Sequence, residues 1–377
     1  MKNPEQPTIW IHAVSVGEIV AARTLVESIK NTFPEYNITI STITETGNEI
    51  AKKIMPSKIQ IVYLPFDVTY AVKRAIKFIK PSVFIVVETE IWPNLLRNLK
   101  KLGIPVILVN GRISDKAYKK YIWIKPVLKN ILDCVSVFKM QSDEDKNRII
   151  SLGADAQRVG VSGNIKFDNA VFSIEEEKKK NTEDRLKLKG KKLIVAGSTH
   201  SGEEEIILEA YKSLIKKYSD ICLLIAPRHI ERAETIAKAV KSFGFVPSKV
   251  SQPAAKSAVY ILDTMGELKL FYSLAWAVFV GGSLVKHGGQ NIIEPAYFSK
   301  PIIFGPNMFN FKDIAALFLK EKAAIEVKDS ASLAQAIAML YDNNAQAEAM
   351  GTRAKAIIAK NQGAADRTIA AIKDILK

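Results

Sequence analysis

The chain has 377 residues, which predicts two domains, and its 48% hydrophobic and 25% charged residues exclude a largely disordered protein. No apolar run approaches the ~18–20 residues of a membrane-spanning helix, and the polar opening MKNPEQPT carries no secretory signal, so we expect a cytoplasmic protein. The net charge of +15 predicts an anionic partner, which could be nucleic acid, a phosphorylated substrate or an acidic membrane surface.

Short apolar runs alternate with amphipathic helical segments in the first half of the chain, as is typical of βαβ units with a parallel sheet. Helices such as GEIVAARTLVESIK and WPNLLRNLKK are predicted between the strands. The predicted strands, in chain order, are TIWIHAV, NITISTI, IQIVYLP, SVFIVVE, PVILVN, CVSVFKM and VGVSGNI. These runs are nearly continuous in Val and Ile, which indicates helices on both faces of the sheet. Residues 1–168 form the first predicted domain.

The next segment is strongly charged, and we interpret residues 169–192 as a linker that carries a surface helix. Residues 193–355 form the second predicted domain, with strands LIVAGS, ICLLIAPR, AVYILD, AVFVGGS and PIIFG. A closing amphipathic helix is predicted over 356–377 and could pack back on the first domain. The predicted fold class is α/β with two Rossmann-like domains. Because such sheets bind ligands outside the carboxyl ends of their strands, we expect the domains to face each other across a cleft.

Ionisable residues follow the strands of the first domain, where such sheets bind ligands. Ser15 and Glu18 follow the first strand in the pattern of a helix capping box, and Glu18 could also face the cleft, since the two roles are compatible. Glu88 and Glu90 follow strand SVFIVV. They are either partly desolvated carboxylates at the cleft rim or caps of a helix that begins at Trp92–Pro93. Carboxylates on neighbouring strand ends could supply a general base and a second electrostatic group.

Further polar residues follow other predicted strands. Lys166 could meet developing negative charge and Arg112 could bind a phosphate, although such side chains are more often simply solvated. In the second domain, Ser198 and Thr199 could hold an anion or cap a helix. Arg228 ends strand ICLLIAP, where it is well placed for a nucleotide phosphate or base.

The segment VFVGGSLVKHGGQNIIE (278–294) has the features of a phosphate-binding loop. Its glycine pairs, 281–282 and 288–289, lack the side chains that would block a phosphate, and a helix predicted to begin near Asn291 would favour an anion. Glu294, on the same helical face, would reach ribose hydroxyls. Glycine pairs also form ordinary tight turns, so the segment alone leaves both interpretations open.

Two basic segments of the first domain bear on the anionic partner. AVKRAIKFIK (71–80) carries its cations at helical spacing, and DKAYKKYIWIKPVLKN (115–130) interleaves lysines with Tyr and Trp. Lysines among aromatic residues suit a lipid headgroup interface, although a solvated helix face has the same composition. No RNA-binding aromatic motif is present, so we do not expect nucleic acid as the partner.

Taken in order, the motifs HAVSVGE, VETEIWPN, NGRIS, GNIKFD, AGSTHSGEE, APRH, DTMGEL, FVGGSLVKHGGQNIIEP and FNFKD resemble those of bacterial 3-deoxy-D-manno-octulosonic acid (Kdo) transferases, the lipid A glycosyltransferases of lipopolysaccharide assembly. The resemblance runs from about residue 9 to about residue 313. It implies a GT-B fold with an amino-terminal acceptor domain and a carboxy-terminal donor domain. It also implies inverting transfer of Kdo from CMP-Kdo to a lipid A precursor, lipid IVA, at the cytoplasmic face of the bacterial inner membrane.

The resemblance further implies residue roles. Glu18 would be the general base that deprotonates the acceptor hydroxyl, and Glu88 and Lys166 would support the transition state. Arg112 is our predicted acceptor-binding residue. The donor-binding residues predicted from motifs and resemblance together are Ser198, Thr199, Pro227, Arg228, Met265, Gly266, Glu267, Gly288, Gly289, Asn291, Ile292, Ile293 and Glu294.

No metal or cofactor is implied, and the four histidines of the chain lack metal-ligand spacing. Members of the family commonly carry an amino-terminal hydrophobic anchor before the SVGE strand. We therefore expect that an anchor was removed or that the protein attaches peripherally to an anionic membrane surface. The residues alone leave two alternative functions open. One is another GT-B nucleotide-sugar enzyme, such as an epimerase or a uridine-donor transferase, and the other is a basic RNA- or membrane-binding module.

Overall fold

A computed structural model describes residues 6–168, 172–254 and 258–376. These residues form two compact units, each built around a parallel sheet of seven strands. Unit 1 contains residues 6–168 and 361–376, and unit 2 contains residues 172–254 and 258–360. The predicted α/β class is therefore confirmed.

Unit 1 alternates strands and helices along the chain. Its strands are β1 Thr8–His12, β2 Asn37–Thr42, β3 Gln60–Tyr63, β4 Pro81–Val87, β5 Val106–Gly111, β6 Val137–Met140 and β7 Val159–Val161. Its helices before residue 168 are α1 Val16–Thr32, α2 Glu45–Ile54, α3 Thr69–Ile79, α4 Pro93–Lys101, α5 Asp115–Trp123, α6 Lys125–Leu132 and α7 Asp143–Ser151.

The sheet of unit 1 has the strand order β3-β2-β1-β4-β5-β6-β7. The chain adds β2 and β3 on one side of β1 and then crosses to the other side for β4, so the topology reverses between β1 and β4. Residues of β1 on both faces, such as Ile9 and Trp10, are fully buried because helices cover both sides of the sheet. Such a switch point leaves a crevice at the carboxyl ends of the two strands, where open α/β sheets bind ligands.

Unit 2 repeats this architecture. Its strands are β8 Lys192–Thr199, β9 Ile221–Pro227, β10 Pro247–Lys249, β11 Val259–Ile261, β12 Ala277–Val280, β13 Ile302–Phe304 and β14 Ala324–Glu326. Its helices are α8 Glu176–Arg185, α9 Glu203–Leu214, α10 Ala233–Ser242, α11 Leu268–Leu274, α12 Ile293–Tyr297, α13 Lys312–Lys320, α14 Ser330–Asp342 and α15 Asn344–Asn361. The strand order β10-β11-β9-β8-β12-β13-β14 places its switch point between β8 and β12.

The last helix, α16 (Ala364–Leu376), belongs to unit 1, where Ile369 and Ile372 join the hydrophobic core. Asp168 anchors the start of this helix, because its carboxylate accepts the backbone N–H groups of Gly363 and Ala365, both at 2.6 Å. Unit 1 is thus completed by the carboxy-terminal end of the chain.

Several predicted boundaries differ from the structure. The closing helix was predicted from residue 356, but α15 continues to Asn361 and α16 begins at Ala364. Residues 169–171 of the predicted linker lie outside the described residues, and the rest of it contains α8, which belongs to unit 2. The edge strands β10 and β14 were not predicted, because three-residue strands give little apolar pattern.

Candidate active site

Glu18 lies in the first turn of α1, at the switch point of unit 1. Ser15 caps the helix: its Oγ accepts the N–H of Glu18 at 3.3 Å and donates to Glu18 Oε1 at 2.9 Å. Glu18 Oε2 accepts the N–H of Val14, the residue before the N-cap, at 2.7 Å, so the Glu18 side chain reaches back to the main chain at the helix start. Glu18 is only 8% exposed. Burial raises the pKa of Glu18, and the charge of Glu88 adds to the increase, so this carboxylate is oriented and more basic than usual.

Glu88 is the first residue after β4, on the other side of the same switch point. Its φ is +61°, a left-handed conformation that is uncommon for a residue other than glycine. The backbone N–H of Glu88 donates to the carbonyl of Val109 at 2.8 Å, which fixes this turn to β5. Such backbone strain is concentrated at functional sites in proteins. Lys166 Nζ lies 3.9 Å from Glu88 Oε1, so the two predicted transition-state residues form an ion pair.

Lys166 is positioned by a non-local contact. It lies in a single 3-10 turn, Ile165–Phe167, whose backbone N–H at Lys166 donates to Asn164 Oδ1 at 2.9 Å. The N–H of Ile165 donates to Oδ1 of Asn110, near the end of β5, at 3.1 Å. Because Asn110 is fully buried, it holds the turn against the sheet and directs Lys166 toward Glu88.

Glu90 completes a group of three carboxylates in unit 1. Burial raises the pKa of Glu90 to about 7, and the charges of Glu18 and Glu88 contribute to the increase. With this pKa, the Glu90 carboxyl group retains its proton over part of the neutral pH range. Tyr121 of α5 lies near this group, since burial and the charge of Glu90 raise the pKa of Tyr121.

Arg112 is attached to the same group through its main chain. Thr89 Oγ1 accepts the N–H of Arg112 at 2.9 Å and donates to the carbonyl of Arg112 at 2.5 Å. These bonds tie the segment after β5 to the segment after β4. The half-buried Arg112 thus belongs to the polar edge that carries Glu88 and Glu90.

In unit 2, a cavity of about 320 Å³ opens at the carboxyl ends of β8, β9 and β11. Its wall contains five of the predicted donor-binding residues, together with residues that the sequence did not single out as donor-binding, such as His229 and Thr264. The five are Ser198, Pro227, Arg228, Met265 and Gly266. Ser198 has a φ of +56° at the end of β8, a second strained turn at a strand end.

The first glycine pair of the segment 278–294 does not form an open phosphate loop. The backbone N–H groups of Gly282, Ser283 and Leu284 all donate to the carboxylate of Glu203, at 2.6, 3.0 and 2.9 Å. Glu203 is fully buried, so it occupies the anion position that the sequence suggested for a phosphate. A Cβ at Gly281 would lie 2.6 Å from backbone atoms of the β8 end, which explains why glycine is needed there.

The second half of the segment also differs from the prediction. The helix predicted to begin near Asn291 is α12, which begins at Ile293 and has only five residues. Its short length gives it little dipole to favour an anion. The side chains of Ile292 and Ile293 are buried in the core, while Asn291 Oδ1 accepts the N–H of Ile293 at 3.0 Å. Burial raises the pKa of Glu294, and the charges of Lys269 and Arg228 partly offset the increase, which places Glu294 near the arginine of the cavity.

The remaining predicted donor residues have internal partners. Thr199 is fully buried and its Oγ1 donates to Glu204 Oε1 at 2.8 Å. Glu267 Oε2 accepts the hydroxyl of Thr264 at 2.5 Å, and Glu267 Oε1 lies 3.7 Å from Lys178 Nζ. A Cβ on either glycine of the second pair would collide with the segment 308–310, so this pair is required by packing.

Comparisons with known proteins give the family. The profile of the family described as 3-deoxy-D-manno-octulosonic-acid transferase (kdotransferase) matches residues 1–169. A 3-deoxy-D-manno-octulosonic acid transferase of Haemophilus influenzae is 34% identical over 388 residues, covering 99% of this chain and 88% of the relative. The chain belongs to the Kdo transferase family. This Kdo transferase is therefore a glycosyltransferase, as the motif resemblance implied.

Solved structures give the fold of this Kdo transferase. A glycosyltransferase from Rickettsia africae has a TM-score of 0.62 at 14% identity, with 99% of each chain covered. A UDP-GlcNAc 2-epimerase from Neisseria meningitidis, bound to UDP-GlcNAc, has a TM-score of 0.61 at 14% identity, covering 94% of this chain and 99% of that chain. The predicted GT-B fold is confirmed.

The structure brings some of the predicted site residues together, whereas others are buried or hydrogen-bonded within the protein. Glu18, Glu88 and Lys166 gather at one switch point, and five donor residues line one cavity. Sequence reasoning weighed Glu90 without selecting it. It missed the role of Glu203, because the only local signal was an acidic first helical turn.

Across residues 6–168, 172–254 and 258–376, no group of three or more His, Cys, Asp or Glu side chains is arranged to hold a metal ion. Among the helices of these residues, none combines the length and the hydrophobicity needed to cross a lipid bilayer.

Proposed function

We propose that this Kdo transferase moves Kdo from CMP-Kdo to lipid IVA, a lipid A precursor, with inversion at the anomeric carbon. The observation that carries the proposal is the buried, hydrogen-bonded carboxylate of Glu18 beside the Glu88–Lys166 ion pair, in a chain of this family. An acceptor hydroxyl is a poor nucleophile until a base removes its proton. A partly desolvated carboxylate in a fixed orientation suits that task.

Glu18 is the proposed general base. The N–H of Val14 and the hydroxyl of Ser15 each occupy part of its carboxylate, and both hold its orientation. Burial raises the pKa of Glu18, which strengthens it as a base. As the hydroxyl attacks, the proton passes to a Glu18 oxygen and the bond from the anomeric carbon to the CMP phosphate breaks. Glycosyl transfer of this kind passes through an oxocarbenium-like state.

Lys166 and Glu88 are proposed to support that state. The ammonium of Lys166 would stabilise negative charge that develops in the transition state, and Glu88 would hold the ammonium in place. Arg112 is proposed to bind the acceptor, because lipid A precursors carry phosphates that a guanidinium can grip through two hydrogen bonds. No metal or cofactor takes part in the proposed reaction, as the family resemblance implies.

The cavity of unit 2 is the proposed CMP site. Arg228 would bind the phosphate, and Glu294 would accept hydrogen bonds from ribose hydroxyls. Pro227, Met265 and Gly266 would contact the nucleotide from the cavity wall. The buried Thr199, Ile292 and Ile293 would act only through their main chain or by supporting neighbours. Gly288 and Gly289 would contribute indirectly, because the loop can pack against residues 308–310 only without side chains at these positions.

The basic face of α5 is the proposed membrane contact. This helix has no buried residue, and Trp123 at its end is 87% exposed. Lys119 and Lys120 are exposed on the same helix. Lysines around an exposed tryptophan match the interface of an anionic bilayer. We propose that the protein works on the cytoplasmic face of the bacterial inner membrane, where its lipid acceptor would be presented.

The decisive experiment is incubation of the protein with lipid IVA and CMP-Kdo generated in situ, with the products identified by mass spectrometry. The expected result is a lipid product heavier by Kdo. The variant Glu18→Gln should lose roughly 10²–10⁴-fold in turnover, the usual contribution of a general base. CMP binding should remain unchanged, because Glu18 lies in unit 1. The matched control is Glu27→Gln on the exposed side of the same helix.

Two results would count against the proposal. If wild-type protein transfers no Kdo, or transfers a sugar from a uridine nucleotide instead, the proposed substrates are wrong. If Glu18→Gln retains full turnover, the base lies elsewhere.

A further inference from the structure

Three histidines of unit 2 follow three adjacent strands of the sheet. His200 follows β8, His229 follows β9 and His287 lies in the loop after β12. The rings of His200 and His287 are stacked, with centroids 4.2 Å apart and planes inclined by 15°. The ring of His229 meets that of His200 edge-on at 6.4 Å. The stack thus spans β8 and β12, the switch point at which such a sheet binds ligands.

The stack is surrounded by positive charge. Burial, followed by the charges of His287, His229, Arg228 and Arg232, lowers the pKa of His200. Gln290 Nε2 lies 3.1 Å from His200 Nε2, so a neutral His200 can accept this bond at Nε2 and carry its proton on Nδ1.

Two neighbouring carboxylates are already engaged. Glu203 accepts the N–H of His200 at 2.9 Å in addition to the loop N–H groups, and Glu204 forms a two-bond pair with Arg232. Lys286 is an exposed cation next to His287, and Glu231 is a carboxylate of the cavity wall. An anion at the stack would relieve the repulsion among the cations. The cavity adjoins it, since His229 and Arg228 line the wall.

We propose that His200, His229 and His287 form a phosphate subsite that, with Arg228, contacts the phosphate of a nucleotide bound in the adjacent cavity. This inference rests on the proposed function, because it assigns the phosphate to the CMP portion of the donor. A phosphate at this place favours the protonated imidazole. Nucleotide binding should therefore take up protons, and affinity should increase as the pH falls through the histidine pKa values of the complex.

The experiment is a calorimetric titration of the full chain with CMP and with cytidine at constant ionic strength, from pH 6 to pH 8. CMP ionises its own phosphate near pH 6, so the informative quantity is the ratio of wild-type to variant affinity. For His287→Gln, the exposed member of the stack, this ratio should be about three- to tenfold larger at pH 6 than at pH 8. His287→Arg keeps a planar cation at every pH, so it should bind CMP at pH 8 at least as tightly as wild type. Lys238→Gln, an exposed change on α10, is the control and should follow wild type.

Nuclear magnetic resonance of the imidazoles supplies the second readout. CMP should raise the pKa of at least one of the three histidines, and cytidine, which lacks the phosphate, should not. If CMP binds while all three pKa values stay the same, or if cytidine shifts them equally, the subsite is rejected and the proposed donor can still be correct. If wild-type protein binds no CMP at any pH, the proposed function itself fails, and this inference fails with it.

Discussion

The carboxylate of Glu203, in the first turn of α9, accepts the backbone N–H of Gly282 at 2.6 Å. The same carboxylate accepts the next two N–H groups of the loop and that of His200. The loop after β12 is therefore an anion-binding turn filled by an anion of the protein itself. The Glu203 carboxylate joins the end of β8 to the end of β12 at the switch point of unit 2, and it fixes the loop that carries His287.

This relationship predicts a large stability loss on changing Glu203. Glu203→Gln would place an amide NH₂ against backbone N–H donors and remove a charge that strengthens four hydrogen bonds. We expect a loss of about 2–3 kcal/mol in the free energy of unfolding of unit 2, which corresponds to roughly 5–10 °C in its melting temperature. Scanning calorimetry measures this change in melting temperature. Glu205→Gln, exposed on the same helical turn, is the control and should melt as wild type. Equal melting of both variants would show that the internal anion contributes little.

The carboxylate group of unit 1 predicts a shift in the pH dependence of turnover. Glu18 must be ionised to act as a base, so turnover should increase with pH through its raised pKa. Glu88→Gln removes the negative charge that helps to raise the pKa of Glu18, so this pKa should fall. The acid limb of the rate profile should move to lower pH by a few tenths of a unit to about one unit. Turnover measured from pH 5 to pH 8 tests this, with the exposed Glu35→Gln as control. A shift to higher pH would contradict the assignment.

Glu90 predicts how stability depends on pH. Its folded pKa of about 7 lies above the ordinary 4.5, so between these values the folded protein holds a proton that the unfolded chain releases. Stability should therefore fall as the pH increases from 4.5 to 7. Glu90→Gln cannot ionise, so its melting temperature relative to wild type should be higher at pH 8 than at pH 5. Thermal melts at the two pH values measure the difference. A constant difference would mean that Glu90 titrates normally.

The exposed end of α5 predicts a role for Trp123 in membrane binding. Trp123→Ala removes a large apolar side chain beside lysines, so binding to vesicles with anionic lipid should weaken roughly three- to tenfold. Sedimentation with anionic and with neutral vesicles measures the effect, and binding of wild type should fall as salt increases. Val246→Ser, an exposed apolar site in unit 2, should leave binding unchanged. Unaltered sedimentation of Trp123→Ala would place the membrane contact on another surface.

Local patterns were sufficient for the architecture and for part of the site. Each predicted strand of unit 1 is present, because buried parallel strands require continuous apolar runs. Ser15 caps α1 and hydrogen-bonds to Glu18, as the local pattern predicts, since both residues lie within one helical turn. The motifs were also enough to identify the family, which the full-length relative supports.

The tertiary structure alone decided which polar groups meet. From the sequence, the glycine segment is predicted to be a phosphate-binding loop. In the structure, the carboxylate of Glu203, 79 residues away from Gly282 in the chain, accepts the N–H groups of that loop. The stacked pair His200 and His287 and the ion pair of Lys166 with Glu88 likewise join residues that are far apart in the chain. Strand order brings such residues together, and strand order depends on how the whole sheet packs. Periodicity along the chain reports which face of an element is buried, but it carries no information about which strand end lies beside another.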